Sequence, residues 1–365
     1  MAFWTRWFAA WSRSPWGPGA SILELIRAWD GKERLALPDD EAESGSSPRF
    51  APGAWDGIAT HHMAPRERRN QEERVQAILA AVVAAGRVGK GRARRALIPL
   101  ARDERVATYA DALIGALARE PAAVLEPLRD GARWLVGTAT HNEPLKLGIL
   151  LLGSTGTRED VEPLLTLARH DEFTLYAAVA AGNLLPDPTD VWWTMARNVH
   201  GWGKIHVVER LSRRVDDRPD VQDWLIRHGC ENTVMPEYLA CLCARGGRLA
   251  QALEAGRADD ELLDGACLIF RALVSEGPAE GLDAYEDGVA AARALAGQLE
   301  GRCDSPGRIG AVSALHEWLE SPEPGSNQSE GVRLEREAAG WTPQVRAELA
   351  ARCQGILQSR GGAGL

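Results

Sequence analysis

The sequence predicts an all-α chain, folded as a right-handed α-solenoid of stacked helix pairs, on three observations. Asp-Val dipeptides recur at a spacing of thirty residues, at Asp160-Val161, Asp190-Val191 and Asp220-Val221. Apolar residues follow each pair at helical spacing: Leu164 and Leu165, then Met195, then Trp224 and Leu225. Alternating Val, Ile and Thr runs bounded by hairpin turns, the mark of strands, are nearly absent.

Each element of that prediction has a physical basis. A Gly-, Pro- or Asp-rich turn precedes every Asp-Val pair, and the aspartate reads as a helix N-cap or first-turn acid, suited to the free N–H groups and positive end of the helix. An earlier helix keeps the same period, with Leu145, Leu175, Ile205 and Met235 spaced by thirty. Upstream, Leu100-Ala-Arg-Asp-Glu followed by Tyr109-Ala110 echoes Leu167-Ala-Arg-His-Asp-Glu followed by Tyr176-Ala177. A helix pair of about thirty residues cannot bury its apolar stripe alone, so such units stack into one continuous core. The small residues Ala177, Ala178, Ala180, Ala181 and Gly182 let neighbouring helices approach closely.

The unit resembles the short HEAT-like repeat, of the kind also named after phycobilisome linkage lyases. The marks are the Asp-Val start, the core Leu164-Leu165-Thr166-Leu167-Ala168, and the Ala-rich helix after Asp171-Glu172. The resemblance covers about residues 95–275. It implies an α-solenoid with a concave binding surface, and the family serves scaffolds, lyase subunits and a group of alkyl-purine DNA glycosylases alike. Two departures stand out: the unit near 246–256 lacks the Asp-Val pair, and the turn before Trp202 is glycine-rich.

The remaining stretches divide by composition. Residues 1–37 read as an N-terminal Trp-rich helical cap, 38–65 as a loop or linker, 66–321 as the solenoid, 322–342 as a polar linker, and 343–365 as a C-terminal helix and tail. Trp4, Trp7, Phe8 and Trp11 follow one helical stripe, which suits a cap or partner helix better than a membrane anchor with only Arg6 and Arg13 beside it.

Composition excludes several classes. The 365 residues carry 42 Lys and Arg against 51 Asp and Glu, with 45% hydrophobic and 25% charged side chains, as in an ordinary globular protein. The longest apolar runs, 77–86 and 147–153, fall far short of the ~20 residues a membrane span needs. The first twenty residues lack the continuous apolar core of a secretory signal. Six cysteines without a CxxC pair read as reduced, buried thiols in a cytoplasmic protein. Thirteen Trp outnumber the five Phe and four Tyr together.

Candidate chemistry is sparse. The histidine pair His61-His62 reads as loop or surface, His206 and Glu209 as a polar pair on one helix face, and His170 and His200 as closing the second helix of their repeats, where a cation suits the dipole. No set of side chains is assigned a catalytic role, no metal ligand set is read, and no cofactor is expected. The core stripe of the helix after Asp190 is read as Val191, Met195 and Asn198, leaving Trp192 and Trp193 off it.

The leading expectation is therefore a non-enzymatic interaction or scaffold protein that binds a protein partner through a concave groove, with Trp192, Trp193, Trp202 and Lys204 as contacts. The alternative is a nucleic-acid-binding protein or a DNA-repair enzyme resembling the HEAT-like alkyl-purine glycosylases. Residues 66–105 hold eleven basic side chains against five acidic ones, and Trp55, Asp56, Arg92, Arg94 and Arg95 are its candidate anion or nucleic-acid contacts. The same window also reads as a solvated helix face. A chromophore lyase-like subunit rests on repeat type alone.

Overall fold

The computed structural model describes residues 15–17, 19–39, 51–57, 71–87, 91–275, 279–321 and 336–359. The Trp4–Trp11 stripe, His61-His62, Arg66, Arg68, Arg69, most of the polar stretch after 321 and the final tail lie outside them. Among the described residues all regular structure is helical and no strand occurs. None of these helices is long and apolar enough to cross a membrane. The chain divides into two compact units, Met1–Val207 and Val208–Leu365.

The first unit contains α1 (Ile22–Ala28), α2 (Gln71–Gly86), α3 (Gly91–Arg102), α4 (Ala110–Leu117), α5 (Ala122–Thr138), α6 (Asn142–Thr155), α7 (Val161–Leu167), α8 (Asp171–Leu184), α9 (Thr189–Ala196) and the start of α10 (Trp202–Leu211). The long helices pack in chain order, α2 on α5, α5 on α6, and α6 on α8. A glycine marks each of these interfaces. A Cβ on Gly86 would overlap the Pro127 carbonyl, one on Gly148 would lie 2.8 Å from Leu135 Cβ, and one on Gly153 would lie 2.9 Å from Ala180 Cα. Such backbone approach forbids any side chain at these points. Helix α6 lies mid-row, so Leu145, Leu147, Ile149, Leu151 and Leu152 are all buried and its apolar surface runs right round.

The local start signals act as their residue types demand. Ser21 and Glu24 form a reciprocal capping box at α1. Thr157 and Asp160 form another just before α7, and Asp160 also takes Arg133 at 2.7 Å. Asp190 and Asp220 are first-turn acids. In α9 the buried face is Thr189, Trp192, Met195 and Ala196, and just past its end Val199 is buried whereas Asn198 is exposed. The stripe read as 191, 195 and 198 is thus displaced by one residue, because the large Trp192 ring takes the inward position.

Where it is described, the N-terminal segment packs along the first unit. Trp16 stacks on Trp134 at 5.4 Å and its Nε1 donates to Thr138 Oγ1. Helix α1 packs on α5 and α7. Arg169 donates to the carbonyls of Ile26 and Trp29, at 3.2 and 2.7 Å. His170 Nε2 lies 3.4 Å from the Leu35 carbonyl, and Asp39 accepts from Asn142 N at 2.6 Å. Residues 15–17, 19–39 and 51–57 are laid against the helix row.

The second unit contains α11 (Pro219–Trp224), continued by a wider turn over Leu225–Gly229, then α12 (Glu237–Gly246), α13 (Leu249–Glu254), α14 (Asp260–Leu273), α15 (Gly288–Leu299), α16 (Pro306–Glu320) and α17 (Pro343–Ser359). Here α12 packs on α14, α14 on α16, and α16 on α17, while α13 packs on α15. Ser305 caps α16 with Pro306 at its first position, and Pro343 opens α17. Trp224 is half-buried rather than core, and Met235, the fourth member of the thirty-residue series, lies in the loop before α12 at φ 41° and 37% exposed. The described end of the expected 322–342 linker is folded: Trp341 is buried and meets Trp318 edge-on at 4.9 Å. All six cysteines are buried, and none forms a disulfide.

Candidate functional site

The densest polar cluster of the first unit centres on Lys146. It grows from helical spacing. Glu143 and Lys146 are three residues apart and share one face of α6, and Glu172 and Tyr176 are four apart and share one face of α8. His170 opens α8 from an extended conformation, its Nδ1 accepting from Glu172 N at 3.3 Å. His170 thus stands between two helices: its backbone N–H bonds the Leu167 carbonyl at the end of α7, and its ring caps the start of α8. His200 is exposed.

Segment 51–57 completes the cluster. Asp56 Oδ2 and Glu172 Oε1 each lie 2.6 Å from Lys146 Nζ, and Glu143 Oε1 lies 3.4 Å away. Tyr176 donates to Asp56 Oδ1 at 3.2 Å. The second oxygens of the glutamates accept backbone N–H groups, Glu172 from Gly53 at 2.8 Å and Glu143 from Val106 at 2.6 Å. Lys146 and Asp56 are buried at 1% and 3% exposure. Burial alone would lower the lysine, but Glu172, Glu143 and Asp56 outweigh it and hold Lys146 charged well above the ordinary lysine range. Burial pushes Glu143 up, with Asp56 and Glu172 adding to it against the pull of Lys146. For Glu172 burial is outweighed by Lys146, which keeps it below the usual glutamate range. An ammonium held this firmly is neither a nucleophile nor a general base. It is an anchor for carboxylates.

Next to it, burial pushes Asp171 up to about 7, with its bond from Gly203 N at 2.9 Å offsetting only part of the effect. Outside Glu143 and Glu172 lies a cleft of about 310 Å³, lined also by Asp39, Arg102, Asp103, Glu104, Arg105 and His141. Arg105 sits over the Trp55 ring at 4.8 Å. Burial lowers His141, so its imidazole is neutral at pH 7.

The residues expected to line a groove are placed differently. Trp192 is buried, donates Nε1 to the Ala178 carbonyl at 2.8 Å, and covers Gly182. Trp202 and Lys204 are buried as well. Trp193 is half-buried with Arg197 over its ring at 4.6 Å. Of the second set, Arg92 and Arg95 are exposed, while Arg94 lies over Trp134 at 4.9 Å and donates to the Ala85 carbonyl. Asp56 points inward to Lys146, not outward to a ligand. Lys146 was missed by sequence reading, yet it had a signal: a lone charge inside the apolar run Leu145–Leu152 must find a countercharge or stay out of the core.

Among the described residues no group of three or more His, Cys, Asp or Glu side chains is arranged to hold a metal ion. No known protein family, curated protein sequence or solved structure matches this chain.

Proposed function

We propose that this chain is a non-enzymatic interaction protein, a right-handed scaffold of stacked HEAT-like helix pairs that binds a protein partner along a helical face. One observation carries the reading. The helix row of the first unit already holds a polypeptide against itself: Arg169, His170 and Glu172 grip Ile26, Trp29, Leu35 and Gly53 through backbone atoms. Side-chain-to-backbone bonds of this kind accept a chain with little regard to its side chains, and are a general means of peptide recognition. Chain-order packing of the long helices in each unit and six buried thiols without a disulfide support a repeat scaffold of a reducing compartment.

The test is reconstitution. A partner isolated from the source cells and purified forms a stoichiometric complex with the full chain. Arg169→Ala or Glu172→Gln weakens it at least fivefold while leaving the helical circular dichroism intact. A chain that forms no stoichiometric complex but turns over a small molecule overturns the proposal.

A further inference from the structure

We propose that residues 51–57 are a displaceable strap, occupying in cis a seat on α6, α8 and the start of α10 that takes a Gly-x-x-Asp-Gly segment of a partner polypeptide. The inference rests on the interaction reading above and specifies its site.

The fit between strap and seat is one of spacing. Gly53 donates its N–H to Glu172 at 2.8 Å, and three residues later Asp56 reaches Lys146 and Tyr176 at 2.6 and 3.2 Å. Both flanking glycines are required by the seat. Gly53 has φ +72°, and a Cβ there would lie 2.7 Å from the Asp171 carbonyl oxygen. A Cβ on Gly57 would overlap the Trp202 ring. The seat therefore reads a backbone N–H, a carboxylate and two positions without side chains, and the Trp between them is only half-buried.

The same geometry makes the strap removable. Three carboxylates share one ammonium, so when Asp56 leaves, Lys146 keeps Glu172 at 2.6 Å and Glu143 at 3.4 Å. No buried cation is stranded, and one of three mutually repelling acids is removed. Asp56 is the one contributed by the strap rather than by the helices. The strap's apolar anchorage is limited to Ala54, which is buried, and Trp55, which is half-buried with Arg105 over its ring at 4.8 Å. Elements held by polar contacts and little apolar burial open at lower free energy than helices of the core. Being covalently attached, the strap acts at the effective concentration of a tethered ligand, so a partner segment must out-compete it.

Two measurements on the full chain test this. In native-state hydrogen exchange of the wild-type protein, the Gly53 and Gly57 amides exchange at least a hundredfold faster than those of Ala177 and Ala181, without denaturant dependence. Exchange of all four at one rate with one denaturant slope overturns the strap. In fluorescence titration with the peptide Ala-Pro-Gly-Ala-Trp-Asp-Gly, Asp56→Asn binds at least tenfold tighter than wild type, and a peptide with Asn for Asp does not bind. A folded Asp56→Asn protein that binds neither peptide overturns the seat. Wild-type dimers that exchange the strap between copies overturn the partner in favour of a second copy of this chain. A partner complex that leaves exchange at Gly53 and Gly57 unchanged removes the strap while the interaction reading stands.

Discussion

The ammonium of Lys146 and the carboxylate of Asp56, ninety residues apart in sequence, meet at 2.6 Å with both side chains almost wholly buried. This pair binds segment 51–57 to α6, and through Glu172 to α8. The cost of breaking it depends on the side: loss of Asp56 leaves Lys146 paired with Glu172 and Glu143, whereas loss of the lysine leaves three carboxylates without water or partner.

Lys146→Met leaves Asp56, Glu143 and Glu172 together without their cation. The expected loss in urea unfolding at pH 7 is about 3–5 kcal/mol. Burial already raises Glu143, so protonation of this group relieves part of the repulsion and the loss is smaller at pH 4 than at pH 7 if the protein stays folded there. The wild-type lysine is raised in the folded state, so its contribution is full below the ordinary lysine value of about 10.4 and fades as pH rises beyond it. Equal destabilisation at pH 4 and pH 7 contradicts this account.

Asp171 predicts a slope of the opposite kind. Burial raises it to about 7, against about 3.9 for an unfolded aspartate, so between these values the folded state holds a proton that the unfolded state has lost. Stability from this group is present at low pH, declines as pH rises from about 4 to 7, and is flat above. Asp171→Asn keeps an acceptor for Gly203 N but cannot ionise. It should remove that decline and stabilise the protein at pH 8 by on the order of 2 kcal/mol. A variant with the wild-type pH profile rejects the assignment.

The two adjacent tryptophans of α9 separate by their surroundings. Trp192→Ala empties a core position and removes the bond to the Ala178 carbonyl, and about 3–5 kcal/mol is lost. Trp193→Ala removes a half-buried ring and its contact with Arg197, and about 1 kcal/mol or less is lost. Chemical denaturation of the two variants decides; the reverse order contradicts the placement of both rings.

In the second unit Arg308, 5% exposed, is held by Asp264 at 2.6 Å, Asp260 at 2.9 Å and Asp304 at 3.2 Å. Its guanidinium spans the N-terminal ends of α14 and α16, which a lysine cannot do with a single point charge. Arg308→Lys is expected to lower the unfolding midpoint nearly as far as Arg308→Ala. Full recovery by lysine means that charge alone, not the fork, matters here.

What could be read before the fold was known followed the range of the physics involved. Asp160, Asp190 and Asp220 were found at helix starts because capping and dipole effects act within one turn. Met235 kept the numerical period yet lies exposed in a loop, because Pro236 follows it and α12 begins only at Glu237. Trp192 was assigned to the wrong face by a single residue, about 100° of helix turn, which periodicity in a helix of eight residues does not resolve.

The sequence by itself determined that the chain is helical, where α7, α9, α11 and α17 begin, and that their apolar faces need neighbours, since propensity, capping and a 3.6-residue period are properties of short stretches. Only the tertiary structure decided which charges those neighbours would bury. Lys146 reads as one lysine in an apolar run until Asp56, ninety residues earlier, and Glu172, twenty-six later, are brought to 2.6 Å. The N-terminal segment reads as a cap and a linker until its backbone is found on Arg169, His170 and Glu172. Such contacts depend on long-range docking, where the gain of pairing a buried charge appears only once the partners have met.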